Sequence, residues 1–314
     1  MSSTRPASTL PDPVESALRQ GLARGDAVLG SVTPVLRHFL VHDSQPMFED
    51  AVLARVRGMI ADLANQFAPG LAAGTGPVGE AGSAALTADL AQVPGVLDHC
   101  HALALEGLLT ETLKARLNLD PVVPPLIEAL LGSEQGETST LAMKVLAAQA
   151  RFVQQHAQMR LPLSELPADL MHTVLQALTA HDPGGRAVAR LRARYDESAS
   201  RIALLARLVT GMGSGAVAGL LLGHAGPAIF ASALALTAGL HRDHCILLMQ
   251  PGQAERLALV LRADAMKPAA IEGILLLIDP GRSDPIGIGG LAPERAAAIL
   301  DGTRDEPAFP ILTA

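Results

Sequence analysis

The chain has 314 residues, 49% of them apolar and 18% charged, with a net charge of −7 and a mean hydropathy of +0.31. Such a chain collapses rather than staying disordered, and its length allows one large domain or two ordinary ones. Aromatic residues are only 2%, with no Trp and a single Tyr, Tyr195, which argues against a β-sandwich or barrel, against stacking on single-stranded nucleic acid and against an aromatic cage.

Met1 to Pro13 is polar, carries Pro6, Pro11 and Pro13, lacks an apolar signal core and reads as a loose tail. Apolar residues then recur at helical spacing through Val28, Leu29, Val32, Val35, Leu36, Phe39 and Leu40. Pro34 interrupts that series, either as a kink or as the first turn of a new helix capped by Thr33. Val52, Leu53, Val56, Met59, Ile60, Leu63 and Phe67 form one stripe, with Ser44 and Pro46 as start signals ahead of it. Glu49, Asp50, Arg55, Arg57 and Asp62 fall on its other face. Residues 68–82 hold five glycines and two prolines and read as a flexible loop. Helices are expected again near Val96–Leu117, Pro125–Leu131, Thr140–Met159 and Pro167–Ala180.

His181-Asp182-Pro183-Gly184-Gly185 is the expected boundary between an N-terminal helical domain, 14–180, and a C-terminal one, 186–302, followed by a tail, 303–314. Beyond it the spacing predicts helices over Arg186–Thr210, Gly215–Leu222, Pro227–Leu240, Arg242–Met249, Gln253–Arg262, Pro268–Ile278 and Pro293–Leu300. Asp279 to Gly290 should be loop. No stretch of strict alternation is long enough for a sheet, so the predicted fold is all-α, an array of stacked helical hairpins.

Leu208–Ile278 carries Val209-Thr210-Gly211, then Ala216–Leu222, then Gly226-Pro227-Ala228-Ile229-Phe230 running on to Leu240, then Leu247-Leu248, Ala258–Arg262 and Met266–Leu277. This order resembles a bacterial family of all-helical proteins known as a domain of unknown function, the DUF2336 type. The resemblance covers about a quarter of the chain, the size of one supersecondary block. It implies helices stacked in pairs and implies no catalytic residue.

Several constellations invite a chemical reading. Gly211-Met212-Gly213-Ser214-Gly215-Ala216 fits a loose G-x-G-x-x-A pattern, but a helix precedes it instead of a strand and no acidic residue follows at the required distance. It reads as a turn between close-packed helices. His99-Cys100-His101 and His241-Arg242-Asp243-His244-Cys245 offer zinc-type donors, and His241 with Cys245 would share a helical face. Adjacent residues diverge on a helix and there is no C-x-x-C, so no metal and no cofactor are expected, with His241 and Cys245 the alternative metal pair. His42-Asp43 reads as part of a helix junction, with the Asp or Ser44 as a cap.

Arg186, Arg190, Arg192, Arg194, Arg201 and Arg207 make the only basic run. On one continuous helix Arg186, Arg190, Arg194 and Arg201 share a narrow face able to bind an anion or an acidic partner. Against that, Glu197 lies three residues from Arg194 and four from Arg201, and Asp196 four from Arg192, so the same face would be salt-bridged and solvated. Leu208–Leu240 contains no charged side chain but is broken by Gly223-His224-Ala225-Gly226-Pro227 into halves too short to span a bilayer.

Taken together these features predict a non-catalytic helical scaffold or interaction module with a protein partner, possibly another copy of itself. A net negative charge disfavours nucleic acid. Two cysteines make no disulfide framework, so a reducing, cytoplasmic setting is expected. Two alternatives stand beside this reading: lipid association through Leu208–Leu240, and an enzyme of unrecognised type. The enzyme would require His99 or His101 to meet His241 or His244.

Overall fold

A computed structural model describes residues 13–41, 50–71, 80–182, 184–282 and 287–302. Among them are fourteen α-helices, several short 3-10 turns and no strand. The protein is all-α, as the leucine and alanine periodicity predicts. Its contacts group the described residues into two compact units, 13–30 with 248–302 and 31–247.

The smaller unit contains the first part of α1 (Pro13–Val41), then α12 (Ala254–Ala263), α13 (Pro268–Ile278) and α14 (Pro293–Asp301). Leu18 and Leu22 of α1, Leu257 and Leu261 of α12, Ile271 and Leu275 of α13, and Ile299 of α14 are buried. Gly21 leaves room for the Glu255 side chain, whose Cγ would stand 2.7 Å from a Cβ there, so a larger residue would make that side chain move. Gln253 Nε2 donates to Gly25 O at 2.9 Å, and Glu15 accepts from both Arg19 and Arg295.

The larger unit contains the rest of α1, α2 (Asp50–Leu71), α3 (Glu80–Gln92), α4 (Val96–Leu117), α5 (Pro125–Leu131), α6 (Gly136–Ala157), α7 (Ala168–Leu178), α8 (Arg186–Arg194), α9 (Arg201–Gly211), α10 (Leu222–Ala238) and nearly all of α11 (Arg242–Leu248). Chain neighbours pack in pairs, α2 on α3, α5 on α6 and α9 on α10. The whole apolar stripe of α2, from Val52 to Phe67, is buried, which is what its helical spacing requires. α4 is different. Every residue from His99 to Gly107 is buried, so this helix is covered around its circumference and forms the unit's axis. α2, α6 and α10 pack against it.

The structure corrects four expectations. α1 continues through Pro34, so Thr33 does not cap a new helix; its hydroxyl donates to Asp98 instead. Both ends of the glycine-rich 68–82 segment are helical, as the last turn of α2 and the start of α3, and 72–79 lie outside the described residues. His181–Gly185 falls inside the larger unit, because α6 before it packs on α9 after it. The turn there separates two helices and not two domains. Finally, the helix predicted over Arg186–Thr210 is two helices. Asp196 accepts from Ser198 N and Ser200 Oγ accepts from Ala203 N at 3.1 Å, so capping side chains end one helix and start the next within Tyr195–Ser200. Ser44, Pro46 and His42-Asp43 lie outside the described residues, as do the two expected tails from residue 12 downward and from 303 upward.

Candidate functional site

The break after Arg194 takes the four-arginine face apart. Arg186, Arg190 and Arg194 remain exposed on α8, whereas Arg201 opens α9 and is only 1% exposed. The carboxylates expected to neutralise the row are engaged elsewhere. Asp196 Oδ1 accepts from Ser198 N at 3.0 Å, and Glu197 Oε1 accepts from Ala168 N at 3.0 Å.

Arg201 belongs to an ionic centre that no local sequence pattern marks. Glu106, wholly buried at the middle of α4, accepts two forks. Arg201 donates through Nη1 to Oε1 at 2.6 Å and through Nη2 to Oε2 at 3.0 Å. Arg242 donates through Nη1 to Oε2 at 3.0 Å and through Nη2 to Oε1 at 2.9 Å. Each arginine stands at the first residue of its helix, the positive end of the helix dipole, so the Glu106 charge offsets an unfavourable placement twice over. Burial alone would push the Glu106 carboxyl up, but the two guanidinia hold it far below the ordinary carboxylate range. Arg242 is in turn held more basic than usual by Glu106, against the opposing effect of its own burial.

Several helices supply the centre's other contacts, and Arg201 Nε alone of its guanidinium nitrogens has no hydrogen-bond partner among the described residues. Arg201 Nη1 also donates to Gln149 Oε1 at 3.2 Å, and its guanidinium lies 3.6 Å from the centre of the Phe152 ring. Glu165 accepts from Arg201 N at 3.0 Å and so caps α9. Arg242 donates to Ser232 Oγ at 3.1 Å and to Ala228 O at 3.2 Å, joining α11 to α10. His156 packs against Phe152 and fills the space left by Gly107, where a Cβ would come within 2.0 Å of the imidazole.

One helical heptad before Glu106, on the same face of α4, His99 Nδ1 lies 2.8 Å from Asp243 Oδ2. Burial opposes the Asp243 charge, but His99, His241 and Arg242 hold its carboxyl below the usual range. An ionised carboxylate only accepts, so His99 donates from Nδ1. His241 Nδ1 stands 3.9 Å from the same oxygen and accepts from Asp243 N at 3.3 Å. His99 and His241 therefore do converge, on Asp243. The geometry is that of an oriented imidazole, yet the other His99 nitrogen, Nε2, is sealed in the core with no hydrogen-bond partner among the described residues. A base that substrate cannot reach does not move a substrate proton.

The thiols are equally withdrawn. Cys100 and Cys245 are free and buried; burial pushes both up, Cys245 to about 12 and Cys100 further, so neither offers a thiolate near neutral pH. Among the described residues no group of three or more His, Cys, Asp or Glu side chains is placed to hold a metal, and His241 with Cys245 gathers no further ligand.

Gly211–Ala216 follows α9 and enters a 3-10 turn, so there is no strand behind it to make a dinucleotide site. Within Leu208–Leu240, residues 225–234 are buried and pack α10 on α4, α5 and α9. No single helix among the described residues is long and apolar enough to cross a membrane; two bent helix pairs meet that test together, at 119° and 112°. Val217, Leu221 and Leu236 are the large apolar side chains this stretch exposes. A shallow pocket lies over Thr110, Gln149 and the bend at Gly226, with an empty volume of about 390 Å³ that includes open solvent. None of the histidines or cysteines lines it. Compared with known proteins, the chain matches no family model, no curated protein and no solved structure.

Proposed function

We propose that this protein is a non-catalytic helical framework that acts as an interaction module, with α4 as its axis and its outer helices as contact surfaces. The observation that carries the reading is the use of its chemistry-bearing residues. Glu106, Arg201, Arg242, His99 and Asp243 are buried and bound to one another, where they join α4 to α9 and α11. Groups spent in this way fix helix positions and have no open face for a substrate.

The test is photo-crosslinking in the cells of origin from benzoylphenylalanine placed, in separate variants, at Met143, Ala189 and Leu236, three exposed positions on α6, α8 and α10. A framework that binds another protein gives a discrete adduct of fixed mass from at least one position. Monomeric, adduct-free protein from all three would contradict the reading.

A further inference from the structure

We infer that the exposed face of α8 is a docking site for an acidic segment of a partner protein, an inference that rests on the interaction-module reading and names the surface and its partner's chemistry. α8 is nine residues long, carries Arg186, Arg190, Arg192 and Arg194 and contains no acidic residue. Only Ala187 and Val188 of this helix are buried. Arg186, Arg192 and Arg194 are exposed and make no ion pair among the described residues.

The acids beside it in sequence cap main-chain N–H groups and form no ion pair with Arg186, Arg192 or Arg194. Asp182 Oδ2 accepts from Ala187 N at 2.8 Å and from Val188 N at 3.0 Å, capping α8 itself. Asp196 accepts from Ser198 N just beyond its end, and Glu197 accepts from Ala168 N at the start of α7. α8 itself presents four arginines and no acid on a molecule whose net charge is −7. Arg186 and Arg194 stand about 12 Å apart on one side of the helix, at about 1.5 Å per residue. Arg186 also sits at the positive end of the helix dipole, where a carboxylate is favoured and a cation is not. Guanidinium forks match carboxylates two bonds at a time. A short acidic segment laid along α8 meets the local arginines within one screening length, about 10 Å, whereas a long polyanion also meets the negative remainder of the molecule.

The experiment measures binding of the full chain to a fluorescein-labelled helical peptide of Glu-Ala-Ala-Ala repeats, by fluorescence anisotropy at low and high salt. The expected result is binding that weakens with salt and drops at least about tenfold in Arg186→Glu/Arg192→Glu/Arg194→Glu. A control of equal charge change at exposed positions elsewhere, Lys144→Glu/Arg151→Glu/Arg207→Glu, should keep the wild-type affinity. Circular dichroism and thermal melting monitor folding. Should the triple variant melt early, Arg186→Gln and Arg194→Gln singly, on the one side of the helix, provide the same comparison.

Absence of peptide binding by the wild type, or equal loss in the control, overturns the inference. So does tighter binding of a DNA duplex, or full competition by inorganic phosphate. A dimer in sedimentation that the α8 variant dissociates would make the occupant a second copy, and also overturns it. If crosslinks form from Met143 or Leu236 while the α8 variant changes nothing, this inference fails and the interaction-module reading stands.

Discussion

A carboxylate with no access to water is stable only while its partners hold it, and at Glu106 the partners are two arginine forks. Removing it should be far worse than removing an exposed acid. Glu106→Ala leaves Arg201 and Arg242 buried and uncompensated, at a cost of about 3–5 kcal/mol. Urea unfolding should show this loss, whereas Glu111→Ala, whose pairing with Arg55 is exposed, should change stability by less than about 1 kcal/mol. Gly107 gives a second residue-scale test. A methyl group there would lie 2.0 Å from His156 Cε1, so Gly107→Ala must displace a buried ring. The expected loss is about 1–3 kcal/mol. The two positions are in contact, so the losses from Gly107→Ala and His156→Ala should combine to less than their sum in a double-mutant cycle. Strict additivity would mean that the ring does not occupy that space.

At the scale of the helix, local pattern carried most of the fold. α4, α5 and α13 run over the stretches that apolar spacing and the prolines at 125 and 268 mark out, and the α2 stripe is buried as drawn. The failures have specific causes. Arg186–Thr210 reads as one helix because Asp196, Ser198 and Ser200 are charged or small polar residues that a solvated helix face also accepts; only their hydrogen bonds to main-chain N–H groups reveal a break. The role of Glu106 is not legible in the sequence for a different reason. A lone acid in an apolar run signals a buried partner, but Arg201 and Arg242 lie 95 and 136 residues away, and nothing local identifies them. Arg242-Asp243 is surrounded in sequence by histidines and a cysteine, although those two charged residues are what the segment contributes to the core. Two element-scale predictions follow from caps and bends. Asp182→Ala removes the α8 cap and should cost about 1 kcal/mol. Hydrogen exchange of the α8 amides should quicken while that of α4 stays unchanged; equal protection in α8 would refute the cap. Gly226 adopts φ 73° and ψ 164° at the bend in α10, a conformation open to glycine almost alone. Gly226→Ala should cost about 1–3 kcal/mol, read as a fall in melting temperature.

Across the whole molecule buried and half-buried imidazoles set a pH dependence. Burial holds His101 at about 4, and lowers His156 and His244 as well. In the unfolded chain each titrates near 6.5 (about the free-imidazole value). Below that pH the unfolded chain binds protons that the folded chain refuses, so stability should be flat above about 7 and fall as pH drops towards about 4. Glu106 acts lower down: its folded pKa is depressed, so its contribution is complete above about 4.5 and is lost only at more acidic pH. Melting temperatures that stay constant between about pH 7 and about pH 5 would contradict the histidine assignment. The measurement closest to the central claim replaces the ionic centre by apolar residues of similar size, Glu106→Leu/Arg201→Met/Arg242→Met. Buried ion clusters often exchange for well-packed apolar groups at little cost in stability. That variant should fold, melt cooperatively and yield the same crosslinked adducts as the wild type. A variant that folds equally well but loses those adducts would show that Glu106, Arg201 and Arg242 do more than hold the helices in place.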